Sequence, residues 1–458
     1  MKRVFILLSL FVLIFSSACN IIKAFKPSPT PEPTATSTKT PTPTVTFTPS
    51  PTSTPTEIPT PTPTLGPPPI TSENFLDHLD EIQQHIFGFF EVDDIEPLEI
   101  VFITEEEYLE VFQTPEETID MYDLAYNSII LDLFNLTSPA YDYGNFLLYK
   151  AMTDPIFYGG TLTDYAENRV KLVEDYEDPE MQLVNFILRV ETYVFLDHCR
   201  KHDNFSAFNS KDDITNLKNV KNAIGLGTTY YTIQKWFNEY GDPEAEIPEG
   251  FLRQYTLLPG VVPLFIRARE SIPVEYGIPF VEHIDKTYGL KKMLDIAIDM
   301  PMFSSTVAHP ERYPNEITTN IELAPLASAL SDDWEIVDYD IMGEMFLVHF
   351  LENVLQQGVA TDPETARQIG ASWGMDFLIL FANNANDELF LSYTIMLTDA
   401  EQYEVLGEEL DAIISAMVNT GTPAVLNKEK NYTYNILIAF KEEVLQEAIE
   451  AYGEFMGN

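Results

Sequence analysis

The chain has 458 residues, 45% of them hydrophobic and 12% aromatic, which exceeds one typical domain and is enough for a large packed core. Its formal net charge is −46; five of the 26 basic and two of the 72 acidic residues lie before residue 70, leaving 21 basic against 70 acidic residues beyond it, a balance of −49. Such a surface repels nucleic acid and anionic membrane, so no nucleic-acid partner is expected, and it favours solubility and resistance to association outside a cell.

Residues 1–19 open with Lys2 and Arg3, run apolar from Val4 to Phe15 and end in Ser16-Ser17-Ala18-Cys19. The pattern is that of a secretory signal, shorter than a membrane-spanning helix. The small residues before Cys19 resemble a lipoprotein processing site, with Ser16 where that motif usually has leucine. That resemblance implies a lipidated Cys19 and an extracytoplasmic location anchored in the cell membrane; the alternative is an ordinary signal cleaved near Ala18. The other cysteine, Cys199, then has no partner for an intramolecular disulfide and is expected as a structural helix residue.

Residues 20–69 are dominated by Thr-Pro, Ser-Pro and Pro-Thr, a composition that favours polyproline II and buries too little to fold. At about 3.1 Å per residue such a stalk reaches on the order of 100 Å. From residue 70 the expected elements are a helix over 72–90, a short apolar strand over 98–104, and a helix opening at Thr104 with Glu105, Glu106 and Glu107 in its first turn.

The segment from Asp178 to His202 predicts a buried central helix. Asp178 caps it, Pro179 takes the first helical position, and Arg200, Lys201 and His202 stand where the last carbonyls favour positive charge. Between them apolar residues run almost all round, with Glu191 the exception. A second helix spans 213–240 and contains Gly225 and Gly227, which mark a bend or a close backbone approach. Helices around Gly289 occupy 280–299. Beyond residue 360, strands at 377–382, 388–396 and 432–439 and helices at 399–417 and the C-terminus form a small antiparallel α+β unit, in which peptide binding at a sheet edge is left open.

Several of these segments resemble a family of extracytoplasmic bacterial lipoproteins related to zinc metallopeptidases. The family's active-site helix carries His-Glu-x-x-His, in which two histidines bind zinc and the glutamate activates the metal-bound water. The matching run is Val190-Glu191-Thr192-Tyr193-Val194, which keeps the glutamate and has valine at both histidine positions. The family's third ligand, a glutamate on the next helix, falls on Gly225 within Ile224-Gly225-Leu226-Gly227-Thr228-Thr229. The stretch from Ser304 to Pro314, which includes His309-Pro310-Glu311-Arg312-Tyr313, and the one from Trp334 to Glu344 match two further family patterns.

The resemblance implies an α+β fold: a mostly helical zincin-like domain over 70–358 with a small N-terminal mixed sheet, followed by the C-terminal unit over 359–458. It implies degenerate metal-ligand positions at Val190, Val194 and Gly225, a vestigial Glu191, and His309 and Tyr313 as cleft residues, either steadying an oxyanion or serving a structural His-Pro turn. With no donor at the three ligand positions, no metal or other cofactor is expected. The implied function is a catalytically inactive, membrane-anchored binding or scaffolding protein, with a peptide or cell-envelope ligand. Two alternatives remain: a zinc peptidase with a site relocated to His198 and His202, four residues apart beyond Val194, or a purely structural envelope protein.

Overall fold

The computed structural model describes residues 69–112, 120–137, 141–148, 158–202, 214–242, 262–316, 319, 321, 326–353 and 360–456. The signal segment, Cys19 and the Thr/Pro-rich stretch through residue 68 lie outside the described residues, and Pro69–Asn458 forms one compact unit. No described helix is long and apolar enough to cross a membrane.

The N-terminal half is built around a long helix pair. A 3₁₀ turn (Phe75–His78) leads into α1 (Leu79–Phe89), whose buried Gln83 accepts from the Leu98 amide at 2.7 Å and so fixes the entry to β1 (Glu99–Ile103). Thr104 caps α2 (Glu105–Leu109) in a reciprocal box with Glu107, as the sequence predicts. After α3 (Met121–Leu133), β2 (Thr161–Asp164) and β3 (Arg169–Val173) complete a three-stranded mixed sheet in the order β1-β3-β2, parallel between β1 and β3 and antiparallel between β2 and β3.

The expected central helix is α4 (Pro179–Lys201), with Asp178 accepting from the Met181 amide at 2.9 Å and Pro179 in its first turn. Its apolar faces join one core with Ile82, Ile86 and Phe90 on one side and Val220, Ile224 and Ile233 of α5 (Thr215–Glu239) on another. Next come α6 (Leu264–Ile272), a π-helical turn (Pro273–Gly277), α7 (Ile278–Tyr288) and α8 (Lys292–Ile298). The π turn crosses α5 where glycine faces glycine: a Cβ on Gly227 would stand 2.6 Å from the Cα of Gly277, so neither position has room for a side chain.

After α9 (Ser304–Ala308), a 3₁₀ turn (Pro310–Arg312) and α10 (Leu326–Ala329), the chain enters a five-stranded antiparallel sheet ordered β4-β5-β6-β8-β7. Its strands are β4 (Trp334–Asp340), β5 (Trp373–Asn383), β6 (Glu388–Leu397), β7 (Ala424–Lys428) and β8 (Thr433–Ala439). The helices of this part are α11 (Glu344–Asn353), α12 (Pro363–Ala371), α13 (Ala400–Asn419) and α14 (Glu442–Met456). Alternate residues serve two cores: Leu378, Leu380, Leu391 and Tyr393 pack with α11 to α13, whereas Ile379, Phe381 and Phe390 pack with Val444, Leu445 and Ala448 of α14. Both faces are covered, which is why β5 is apolar without a break from Phe377 to Ala382 and does not alternate with polar residues. The expected boundary at 358/359 is crossed by this sheet, because β4 precedes it in the chain and pairs with β5; β4 and β7 are strands the apolar pattern does not reveal.

The two halves meet at residues 340–344. Buried Asp376 accepts from the amides of Met342 and Gly343 at 2.7 and 2.9 Å, from the Trp373 indole at 3.0 Å and from the Tyr393 hydroxyl at 3.2 Å. Burial pushes its carboxyl up to about 6 while these hydrogen bonds pull it down, so it is ionised at neutral pH. On the other side Asp340 accepts from the Thr215 amide at 2.7 Å and from the Tyr126 hydroxyl at 2.9 Å, standing in for the cap that Ile214 cannot give α5. Gly343 sits between them at φ 84°, and a Cβ there would stand 2.3 Å from Asn216 Oδ1. Asp376→Ala is expected to strand four donors and to cost about 3 kcal/mol or more in urea unfolding at pH 7; a loss below about 1 kcal/mol would show that the contact holds nothing together.

Candidate functional site

Of the buried polar side chains on α4, Gln182, Asn185 and Glu191, the last is ionisable, and α4 turns it toward α5. Glu191 is 3% exposed. Thr229 Oγ1 donates to its Oε2 at 3.0 Å, and Thr192 Oγ1 lies 3.5 Å from the same oxygen. Residues 225 and 229 are four apart and share a helix face, so the face of α5 bearing Gly225 is the one that meets Glu191. A glutamate of α4 thus stands on the side of α5 that bears Gly225, and the three expected ligand positions carry no donor side chain. Val190 and Val194 are 0% and 1% exposed and belong to the main apolar core. A Cβ built on Gly225 meets nothing within 4 Å, so there is room beside it, but glycine offers no donor. These three residues do not fit a zinc ion, which takes nitrogen, sulfur or carboxylate oxygen.

Burial is the main influence on Glu191 and pushes its carboxyl up to about 8, with the bonds from Thr229 and Thr192 opposing it. At neutral pH the group is mostly a neutral acid, a poor base for activating water and a stable buried hydrogen-bonding group.

His309 and Tyr313 lie on the turn after α9. His309 Nε2 is 2.7 Å from Glu344 Oε1, and Arg312 Nη1 is 3.9 Å from Glu344 Oε2. Burial raises the Glu344 carboxyl, while His309 and Arg312 hold it down. His309 thereby fastens the turn to the first residue of α11, and Arg312 adds a bond to the Ala371 carbonyl at 2.8 Å. Tyr313 packs edge-on against Phe280 and Tyr288, and burial raises its phenol. Neither residue hydrogen-bonds Glu191, whose partners are the two threonines.

His198 and His202 stand at the end of α4 with ring centroids 4.5 Å apart. His202 Nδ1 lies 3.0 Å from the His198 carbonyl, and His198 Nε2 is buried without a hydrogen-bond partner. Burial and then the neighbouring His202 lower His198. Lys201 pairs with Asp197 and Asp94 at 2.9 and 3.0 Å, which anchors this helix end. Among the described residues no three His, Cys, Asp or Glu side chains converge to hold a metal ion. Cys199 is a buried thiol raised by burial, the opposite of an activated nucleophile.

A polar cluster not foreseen from the sequence lies under α11. His349, 1% exposed, has neither ring nitrogen hydrogen-bonded, faces the Tyr276 ring edge-on at 5.8 Å and has Glu352 Oε2 3.8 Å away. Tyr276 Oη and one oxygen each of Glu344 and Glu352 are also buried without a hydrogen bond, the two carboxylate oxygens facing Arg312 and Arg367 at 3.9 Å. A histidine and two glutamates within the apolar run 344–352 were the available signal. Residues 225 and 227 lie about 200° apart on α5, so the π turn bearing Tyr276 packs on the opposite side of α5 from Glu191.

Compared with family models, curated proteins and solved structures, the chain matches none.

The folded chain holds the Glu191 proton up to about pH 8, whereas the unfolded chain releases it near 4.5. Its stabilising contribution is therefore complete below the unfolded value and is lost as the pH rises through about 8. Between pH 5 and pH 9 the parent chain is expected to lose stability relative to Glu191→Gln by on the order of 4 kcal/mol in urea unfolding, since each tenfold difference in proton affinity between the folded and unfolded chain is worth about 1.4 kcal/mol. Parallel profiles would mean that the buried carboxyl titrates as an exposed one.

Proposed function

We propose that this chain is an extracytoplasmic lipoprotein whose folded part is a degenerate zincin-like body, tethered by the Thr/Pro-rich segment and acting in binding or scaffolding rather than hydrolysis. The observation that carries the proposal is the α4–α5 pairing: Glu191 faces the helix side that bears Gly225, while Val190, Val194 and Gly225 supply no metal donor and the two valines are sealed in the core. A peptidase needs a Lewis acid or an activated nucleophile exposed to substrate. Glu191 is buried and mainly protonated at neutral pH, and Cys199 is buried with a raised pKa. Membrane association then rests on the lipid at Cys19, and the acidic surface keeps the folded part off anionic headgroups.

A second site at His198 and His202 is favoured by one observation, the unpartnered buried Nε2 of His198 beside the second ring. Both ideas are tested together on the full-length protein produced with zinc and dialysed. The proposal expects substoichiometric metal by elemental mass spectrometry and no cleavage of mixed peptide substrates beyond that of Glu191→Gln. One zinc per chain, lost together with hydrolysis in the His198→Ala/His202→Ala variant, would replace it with the relocated peptidase. For the anchor, palmitate labelling in a bacterial host is expected to be abolished by Cys19→Ser; unchanged labelling would remove Cys19 from the proposal.

A further inference from the structure

The three-stranded sheet ends on one side at β1, where α1 reaches the edge only through Gln83, which bonds the backbone of Leu98. The Glu99 amide donates to the Asn168 carbonyl at 2.9 Å and the Ile103 carbonyl accepts from Glu174 at 3.0 Å, so residues 99, 101 and 103 are the ones bonded to β3. In a parallel ladder the amide and carbonyl of one residue point the same way. The backbone groups of Ile100 and Phe102 therefore point outward, and no described residue bonds to them.

Alongside this edge lies the 3₁₀ turn and first turn of α1, leaving a groove of about 420 Å³ between them. Leu76 and Phe102 line it and are 45% and 47% exposed, an apolar pair left unpacked. The helix side is acidic: Asp77, Asp80 and Glu81 are all exposed. Glu81 is met by His78 at 2.8 Å and His85 at 3.8 Å, while Asp77 and Asp80 have no ion-pair partner among the described residues. Lys171 is in register with Val101, whose side chain points to the face opposite Ile100 and Phe102, so it does not neutralise the rim.

The edge of the larger sheet at β4 is blunted by a different device. Strand β4 carries a bulge between Ile336 and Asp338, and the Tyr122 hydroxyl bonds Asp338 beside it. Strand β1 pairs with β3 in unbroken register over all five of its residues; side chains cap only its flanks, Gln83 at Leu98 and Glu107 at the Thr104 amide, leaving Ile100 and Phe102 open.

We propose that the free edge of β1 is a docking groove for an extended segment of a partner protein that carries an apolar and a basic side chain two residues apart on one face and adds to the sheet as a fourth strand. The outward amides and carbonyls of Ile100 and Phe102 supply the main-chain bonds, an apolar side chain covers Leu76 and Phe102, and lysine or arginine meets Asp77 and Asp80. The net charge of −46 favours a basic partner from a distance as well. A second copy is a poor occupant, because edge-to-edge pairing would bring two sets of these carboxylates together. The groove shares no lining residue with the Glu191 site and does not depend on how that site is read.

The test uses the purified full-length protein in detergent and a fluorescent seven-residue peptide, Thr-Val-Thr-Lys-Thr-Val-Thr, which sets valine and lysine on one face, with the same peptide carrying glutamate for lysine and one interrupted by prolines as controls. Saturable binding of the lysine–valine peptide alone is expected, weakened at least tenfold by Asp77→Lys/Asp80→Lys and by Phe102→Ser, with new hydrogen-exchange protection at the amides of Ile100 and Phe102. The variants lie at exposed positions, and circular dichroism checks that they fold. No binding, equal binding of the proline-interrupted peptide, or binding without protection at those amides would overturn the proposal. A peptide-free dimer dissociated by Phe102→Ser would assign the edge to a second copy instead.

Discussion

The structure depends on how five consecutive residues, Asp340 to Glu344, are held from both sides. The carboxylate of Asp376 reaches them from β5, and the N-terminus of α5 reaches them through Thr215 and Asn216. Asn216 extends the grip by bonding the Met302 carbonyl and accepting from the Ser304 amide at 2.6 and 2.9 Å. A buried carboxylate with four donors is costly to leave unsatisfied, so the strand β5, the connection into α11 and the start of α9 are positioned as one piece. The same residues carry Glu344 to the point where His309 and Arg312 meet it.

Helix α5 separates two polar environments that share no hydrogen bond. On one side Glu191 and Thr229 are enclosed by apolar side chains, and burial keeps the carboxyl protonated near neutrality. On the other, the π turn is drawn against the helix through Gly227 and Gly277, bringing Tyr276 over α11 beside His349. The close glycine contact sets that second environment, since a single Cβ at either position would lift the turn away. A polar group in the first is stabilised by losing its charge; in the second, His309 and Arg312 oppose the rise that burial gives the Glu344 carboxyl.

Charge and edges divide the outside of the molecule in a related way. Acidic residues outnumber basic ones, and most of the described lysines and arginines are committed to ion pairs, such as Arg169 with Glu99 and Glu167 or Lys201 with Asp94 and Asp197. A surface of one sign discourages self-association, which leaves an open strand edge such as β1 tolerable in a chain of this composition. The bulge and tyrosine contact at β4 achieve the same end by geometry.

The sequence by itself determined the elements with strong local signals. The α4 helix was legible because Asp178 and Pro179 start it and basic residues end it, and α2 because Thr104 and Glu107 form a box; these are interactions within a few residues. The α+β class and the C-terminal antiparallel strands followed from apolar runs and turn residues. Strand β4 was hidden because its edge position leaves Ile336, Val337 and Tyr339 exposed, so no face imposes a pattern, and β7 is short. At the candidate site the sequence supplied Glu191 and the missing donors at 190, 194 and 225, since side-chain chemistry is written in residue type. Only the tertiary structure decided that Glu191 meets Thr229, that His309 is tied to Glu344, and that His349 is buried beside Tyr276. Those pairs are separated by 38, 35 and 73 positions, and contacts at such distances are set by how helices cross, through which small residues and which carboxylates, and not by anything a neighbouring residue records.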